Sequence, residues 1–239
     1  MSEQRRVSWF ACAAMAGLSL AAVPAEAREP GAFFTPVLTG NGGAFCGPCE
    51  PTPVLTSATP YATVVALRYR WSAAARGFEL VSEEKAGVTD HQGELRFTVQ
   101  QGEGSLDKLQ VVVGRVPSDP FLFLTTGGCS GPYLCPLPRR LHALANASAY
   151  APGGTVIATV RGAAAGAAVE VTQEEYIEEG EAPLWIPVSK PVTAVVDAHG
   201  HATALFEAPG PGVYRVIARD PESGDESSFS LYEVTDARR

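Results

Sequence analysis

The clearest regularity in the chain is a two-residue alternation. Leu95, Phe97 and Val99 alternate with Glu94, Arg96 and Thr98, and Ala202, Ala204 and Phe206 keep the same phase further on. Period two turns one set of side chains inward and the other to water, as in a half-buried β-strand. Runs rich in β-branched residues follow turn signals: Thr63-Val-Val-Ala-Leu-Arg-Tyr comes after Pro60, and Thr155-Val-Ile-Ala-Thr-Val-Arg after Pro152. Pro209-Gly-Pro-Gly212 feeds Val213-Tyr-Arg-Val-Ile-Ala-Arg219, and Asp220-Pro-Glu-Ser-Gly-Asp225 feeds Ser228-Phe-Ser-Leu-Tyr-Glu-Val234. Short strands at regular spacing with turn chemistry between them predict a β-sandwich. Glu83-Glu84-Lys85 is expected to begin a short helix, but no segment keeps apolar spacing over three helical turns. The chain therefore reads as all-β.

Two passages repeat. Thr63 and its approach lie on Thr155 with an offset of 92, while Asp90-His-Gln-Gly93 lies on Asp197-Ala-His-Gly200 with an offset of 107. The difference predicts an insertion in the second copy, for which the acidic stretch 174–181, running on to Pro191, is the candidate. In each Asp-x-x-Gly element the aspartate can cap the turn and the glycine can take a positive φ.

Three pieces carry a family resemblance: Ala151-Pro-Gly-Gly-Thr-Val156, Val196-Asp-Ala-His-Gly-His-Ala202 and Pro211-Gly-Val-Tyr-Arg-Val-Ile-Ala218. Together they resemble bacterial immunoglobulin-like domains of the invasin or surface-protein type, over most of residues 140–235. Residues 51–126 match more loosely; they keep Thr59-Pro60 and Asp90-His-Gln-Gly93 but lack Pro-Gly-x-Tyr. The resemblance implies two tandem immunoglobulin-like β-sandwich domains in a non-catalytic binding, adhesion or structural module of a bacterial envelope. Its partner is expected to be a protein or glycan of that envelope, and no cofactor is implied.

The expected organisation is a cleaved signal peptide (1–27), a cysteine-bearing arm (28–50), a first sandwich (51–126), a Gly/Pro/Cys linker (127–139) and a second sandwich (140–235). Arg5 and Arg6 precede an apolar run over residues 11–23, and Ala25-Glu26-Ala27 supplies the small-x-small cleavage pattern. Thirteen residues fall short of the roughly 20 that a membrane span needs, so the mature chain is expected outside the cytoplasm, secreted or periplasmic. Composition excludes some classes. With 46% hydrophobic and 18% charged residues the chain is not disordered throughout, and a net charge of −8 lacks the basic footprint of nucleic-acid binding. Residues 28–139 carry 9 basic and 10 acidic side chains, net −1, and residues 140–239 carry 7 and 14, net −7. The acidity thus belongs to the second domain.

Cys46, Cys49, Cys129 and Cys135 remain after the signal segment is removed. An even number in an oxidising compartment predicts disulfides, with three pairings open. Cys46-Gly47-Pro48-Cys49 matches the tetrapeptide of thioredoxin-like redox proteins. A helix starting there would soon meet Pro51 and Pro53, and no parallel βαβ pattern follows, so a redox enzyme is the alternative reading. A four-thiolate zinc site is a further alternative. His199-Gly-His201, with His91 in the related turn, reads as solvated turn histidines rather than metal ligands. The acidic stretch 174–181 and Asp220, Glu222 and Asp225 lack calcium-loop spacing. No Ser-His-acid, His-Glu-x-x-His or phosphate-loop pattern is present, and the chain is expected not to be an enzyme. Tyr176 and Trp185 are the candidate binding residues, by the third alternative a platform for carbohydrate.

Overall fold

The computed structural model describes residues 36–39, 43–46, 51–99, 104–126, 140–179 and 182–236. These contain strands and no helix. The first half holds β1 (Val37–Thr39), β2 (Gly43–Cys46), β3 (Val54–Thr56), β4 (Thr63–Ser72), β5 (Gly77–Val88), β6 (Leu95–Arg96), β7 (Leu106–Val113), β8 (Val116–Pro117) and β9 (Phe121–Thr126). The second holds β10 (His142–Ala145), β11 (Ala149–Tyr150), β12 (Thr155–Arg161), β13 (Ala168–Glu179), β14 (Ala182–Pro187), β15 (Val192–Val195), β16 (His201–Glu207), β17 (Gly212–Arg219) and β18 (Ser230–Val234). The expected signal peptide, residues 127–139, and the side chains of the four cysteines lie outside the described residues.

Each half is a sandwich of a three-stranded and a six-stranded sheet. The small sheets run β1-β3-β6 and β10-β12-β16; the large ones run β2-β9-β7-β4-β5, with β8 on β7, and β11-β18-β17-β13-β14, with β15 on β13. Apart from β8 and β15, which attach to non-equivalent strands, the orders coincide strand for strand, including a parallel edge strand in each (β2 on β9, β11 on β18). Equivalent strands begin at residues 37 and 142, 43 and 149, 54 and 155, 63 and 168, 77 and 182, 95 and 201, 106 and 212, and 121 and 230, separations of 101 to 109. The chain is an all-β tandem of two immunoglobulin-like sandwiches.

That topology corrects the repeat register. Thr63 opens β4, whose counterpart is β13, whereas Thr155 opens β12, whose counterpart is β3. The offset of 92 therefore matched different strands, because a proline turn feeding a β-branched strand is generic chemistry that several strands share. No insertion remains to be explained. Residues 174–179 complete β13, and the hairpin they enter with β14 has its equivalent in β4–β5. The helix expected at Glu83-Glu84-Lys85 is also absent. These residues lie in β5, facing Leu67, Ala66 and Val65 of β4, because cross-strand pairing outweighs a local helix preference.

The Asp-x-x-Gly elements superpose in detail. Asp90 Oδ1 accepts the N–H groups of Gln92 and Glu94 at 2.8 and 2.9 Å, and Asp197 Oδ1 those of His199 and His201 at the same distances. Gly93 and Gly200 close the turns at φ +77° and +79°. Backbone hydrogen bonds to their carboxylates are the leading reason that Asp90 and Asp197 titrate below the usual aspartate value. In the second sandwich the Pro-Gly-x-Tyr motif also has a physical basis. The Tyr214 hydroxyl donates to the Gly210 carbonyl at 2.7 Å, and a side chain at Gly212 would press on the Tyr214 ring. This is the tyrosine corner of immunoglobulin-like folds, at the start of the strand equivalent to F.

The first core gathers Leu55, Val64, Leu109, Val111, Val113 and Phe123; the second centres on Val156, Val160, Val169, Val171, Val216 and Tyr232. One buried charge interrupts the first. Asp107 is fully enclosed and accepts from Arg68 at 2.6 Å, Arg70 at 3.1 Å and the Ser105 hydroxyl at 2.9 Å. Removing one member of such a group would leave a desolvated charge, a loss of about 3–5 kcal/mol.

Candidate functional site

Strand alternation gives each large sheet two apolar faces. On β9, Phe121 and Phe123 point into the first core, so Leu122 and Leu124 point the other way; on β7, Leu109, Val111 and Val113 point in, and Leu106 and Lys108 out. In the second sandwich Tyr214, Val216 and Tyr232 face the core, while Val213 and Arg215 of β17 and Leu231 and Glu233 of β18 face outward. The two outward faces meet. Leu106, Leu122 and Leu124 pack with Tyr176, Val213 and Leu231 in a third buried cluster that joins the sandwiches.

Aromatic pairs on equivalent strands frame this junction. Trp71 of β4 faces Phe78 of β5, and Tyr176 of β13 faces Trp185 of β14. Both pairs meet edge to face, at centroid distances of 5.4 and 5.3 Å, and Trp71 also meets Tyr176 edge-on at 6.3 Å. A cation lies on each side. Lys108 Nζ stands 4.7 Å from the Phe78 centroid and 5.0 Å from that of Tyr69, and Arg215 Cζ stands 4.4 Å from Trp185 and 4.8 Å from Phe229. Their carboxylate partners differ. Lys108 reaches across the junction to both oxygens of Glu233, at 3.0 and 3.4 Å, whereas Arg215 pairs with Glu174 in its own sheet at 2.6 Å. Burial lowers the Arg215 pKa, and Glu174 opposes that shift. Burial pushes the Tyr176 hydroxyl up to about 12, with Glu178 adding to it, and the Tyr214 hydroxyl likewise to about 12, with Glu175 adding and Arg76 opposing. At the junction Tyr176 is therefore a neutral phenol, rather than a phenolate, at physiological pH. The arrangement is chemically suited to holding two bodies in one geometry.

Both candidate binding residues lie here. Tyr176 is 5% exposed, and the Trp185 ring is covered by Arg215. The other singled-out residues are dispersed. His91, His199 and His201 are exposed in or beside the two aspartate turns. Asp220 caps its own turn by accepting from the Glu222 N–H and the Ser223 hydroxyl. Among the described residues no group of three or more His, Cys, Asp or Glu side chains is placed to hold a metal ion, and no helix is long and apolar enough to cross a membrane.

The edges of the large sheets show how pairing with other strands is controlled. Val188 N–H donates to the Gln173 carbonyl. Antiparallel alternation then directs the backbone groups of Pro183, Trp185 and Pro187 away from β13, toward the unpaired side of β14. Two of those three positions are prolines and offer no N–H, a device that blunts an edge. Along β5 the edge carries Glu79, Glu83, Glu84 and Lys85 and two register shifts. An open apolar patch lies on the outer face of β10-β12-β16, where Leu144, Ile157 and Leu205 are exposed, Ile157 directly facing Leu205; Leu184 and Ile186 of β14 and the neighbouring Val188 are exposed as well.

Lys108, Arg215, Trp71, Phe78, Phe229 and Glu233 did not emerge as functional residues from sequence. A signal for the junction exists, however. Phe121-Leu-Phe-Leu124 is apolar in both phases, the mark of a strand covered on both faces.

No family model matches the chain, and no curated protein does. Among solved structures, the D0-D1 domain of Intimin is 12% identical with a TM-score of 0.30, covering 83% of this chain and 99% of that one. A membrane-anchored protein from Corynebacterium diphtheriae matches at 12% identity and TM-score 0.30, covering 84% of this chain and 53% of that one.

Proposed function

We propose that the chain is a non-catalytic structural or binding module of a bacterial envelope, exported from the cytoplasm, in which two immunoglobulin-like sandwiches act as one rigid body. The junction is the observation that carries this reading. The outward faces of both large sheets, their aromatic pairs and an inter-sandwich ion pair are committed to holding the halves together. Among the described residues the buried carboxylates are paired in structural roles, Asp107 with Arg68, Arg70 and Ser105, and Glu233 with Lys108. Surfaces open to a protein or glycan partner include the outer face of β10-β12-β16 and the loops at the sandwich ends.

The test uses the full chain expressed with its N-terminal segment. It should appear in the periplasmic or extracellular fraction with residues 1–27 removed, and isolated envelopes should retain it. Loosening the junction with Leu231→Ala should weaken that retention while leaving both sandwiches folded. Insulin-reducing turnover that disappears in Cys46→Ser would overturn the reading in favour of a redox enzyme.

A further inference from the structure

The loops that enter β4 and β13 are both six residues long, Ser57-Ala-Thr-Pro-Tyr-Ala62 and Gly162-Ala-Ala-Ala-Gly-Ala167. Both take a positive φ at their first and fifth positions. The second sandwich fills these with Gly162 and Gly166, at +97° and +83°, and the first with Ser57 and Tyr61, each at +58°. In that conformation a Cβ crowds the following carbonyl, so a bulky residue there is strained. Burial does not offset the strain. Tyr61 is 71% exposed, the most exposed large apolar side chain among the described residues and the one aromatic in that group.

A second difference between the sandwiches holds the loop in place. Thr89 is buried, donates its hydroxyl to the Thr59 carbonyl at 2.7 Å and accepts the Ala62 N–H at 2.9 Å. One side chain thus braces the backbone on both sides of Pro60-Tyr61. The equivalent residue, Val196, donates its N–H to Ala167 as Thr89 does to Ala62, but has no hydroxyl to brace with. The Tyr61 N–H meets the Asp90 carbonyl at 3.4 Å, which sets the tyrosine beside the aspartate turn and its exposed His91 and Gln92. The junction lies at the other end of β4: Trp71 is eight residues beyond Thr63, about 26 Å of extended strand.

Strain at an exposed side chain, kept by dedicated bracing, points to function. We propose that Tyr61 is a stacking platform for a pyranose ring of an envelope glycan, with His91 and Gln92 as hydrogen-bonding groups at its rim. This rests on the binding-module reading above and names the ligand class. One face of a pyranose presents C–H groups over an area that a phenol ring can cover. Its hydroxyls point outward, toward groups such as imidazole and carboxamide that donate and accept. A protein hot spot instead needs surrounding contacts that exclude water, whereas the turn beside Tyr61 is polar and exposed. Because the loop is braced and tyrosine has only two side-chain torsions, little is left to order on binding.

The purified full chain, tetramerised on streptavidin so that avidity raises a weak signal, is applied to an array of envelope oligosaccharides and peptidoglycan strands. The unaltered chain should bind. Tyr61→Gly should bind about tenfold less or weaker still, and Tyr61→Trp should stay within about threefold. Thermal unfolding separates this from a structural role: glycine relieves the strain, so the Tyr61→Gly midpoint should match or exceed that of the unaltered chain. A signal no stronger than that of Tyr61→Gly overturns the proposal, as does a Tyr61→Gly midpoint several degrees lower. A Tyr61-dependent ligand that is protein rather than glycan overturns it too. A blank array from a chain that isolated envelopes still retain removes the sugar platform and leaves the envelope reading standing. Sugar binding by a chain that envelopes do not retain counts against the envelope reading alone.

Discussion

Truncating Leu231 to alanine tests the junction most directly. The side chain is 4% exposed and packs among Leu106, Leu122, Leu124, Tyr176 and Val213. Leu→Ala in a well-packed interior costs about 2–5 kcal/mol, the lower values belonging to sites that can collapse. Here the cavity lies between two bodies with separate cores, so sliding can close part of it, and the expected loss is about 2–3 kcal/mol. Opening the junction exposes far less surface than the unfolding of the whole chain, for which the urea dependence would be about 2–3 kcal/mol/M, so the junction should open at least about 1 M earlier. The protein provides its own probe: of three tryptophans, Trp71 and Trp185 stand at the junction, and Trp9 is in the segment expected to be removed. In Leu231→Ala the tryptophan emission should shift to the red ahead of the loss of far-ultraviolet circular dichroism, which reports the strands of both sandwiches. In the unaltered chain the two curves should coincide. An unchanged emission midpoint would refute the reasoning, as would two curves that move together, since either result means that the third cluster is not a separable joint.

Other consequences can be measured in the same way. Gly93→Ala places a Cβ 2.0 Å from the Ala58 carbonyl oxygen at φ +77°, whereas Gly200→Ala, at φ +79°, meets open space; the second should cost about 1 kcal/mol and the first clearly more, by comparison of thermal midpoints. The carboxyls of Asp90, Asp197 and Asp220 titrate below the ordinary aspartate value in the folded state, chiefly because backbone N–H groups donate to them. Their contribution is complete above the unfolded aspartate value and is lost as pH falls through the lower folded values. Asp197→Asn should therefore flatten the acid limb of a stability-versus-pH curve. Replacing both Pro183 and Pro187 with threonine restores two N–H groups on the free edge of β14. This should produce concentration-dependent association in sedimentation velocity, while the unaltered chain stays at one size.

The turn chemistry and the core phases were legible in the chain itself. Asp-x-x-Gly and Pro-Gly-x-Tyr act through bonds spanning two to four residues, so Asp197 with His199 and His201, and Tyr214 with Gly210, are set by local order alone. The alternation along β16 likewise announces its buried face, because one side chain in two must leave water. Which strands are equivalent was not legible, since Thr63 and Thr155 open similar runs that the sheets place in different layers. The roles of Tyr176 and Trp185 were decided at the same level. A strand's sequence shows that a face is apolar but not what covers it, and only the meeting of two distant sheets turned an apparent binding platform into a joint with Lys108, Glu233 and Arg215. Local hydrogen bonds depend on neighbours in sequence, and burial depends on neighbours in space; the first can be read along the chain and the second cannot.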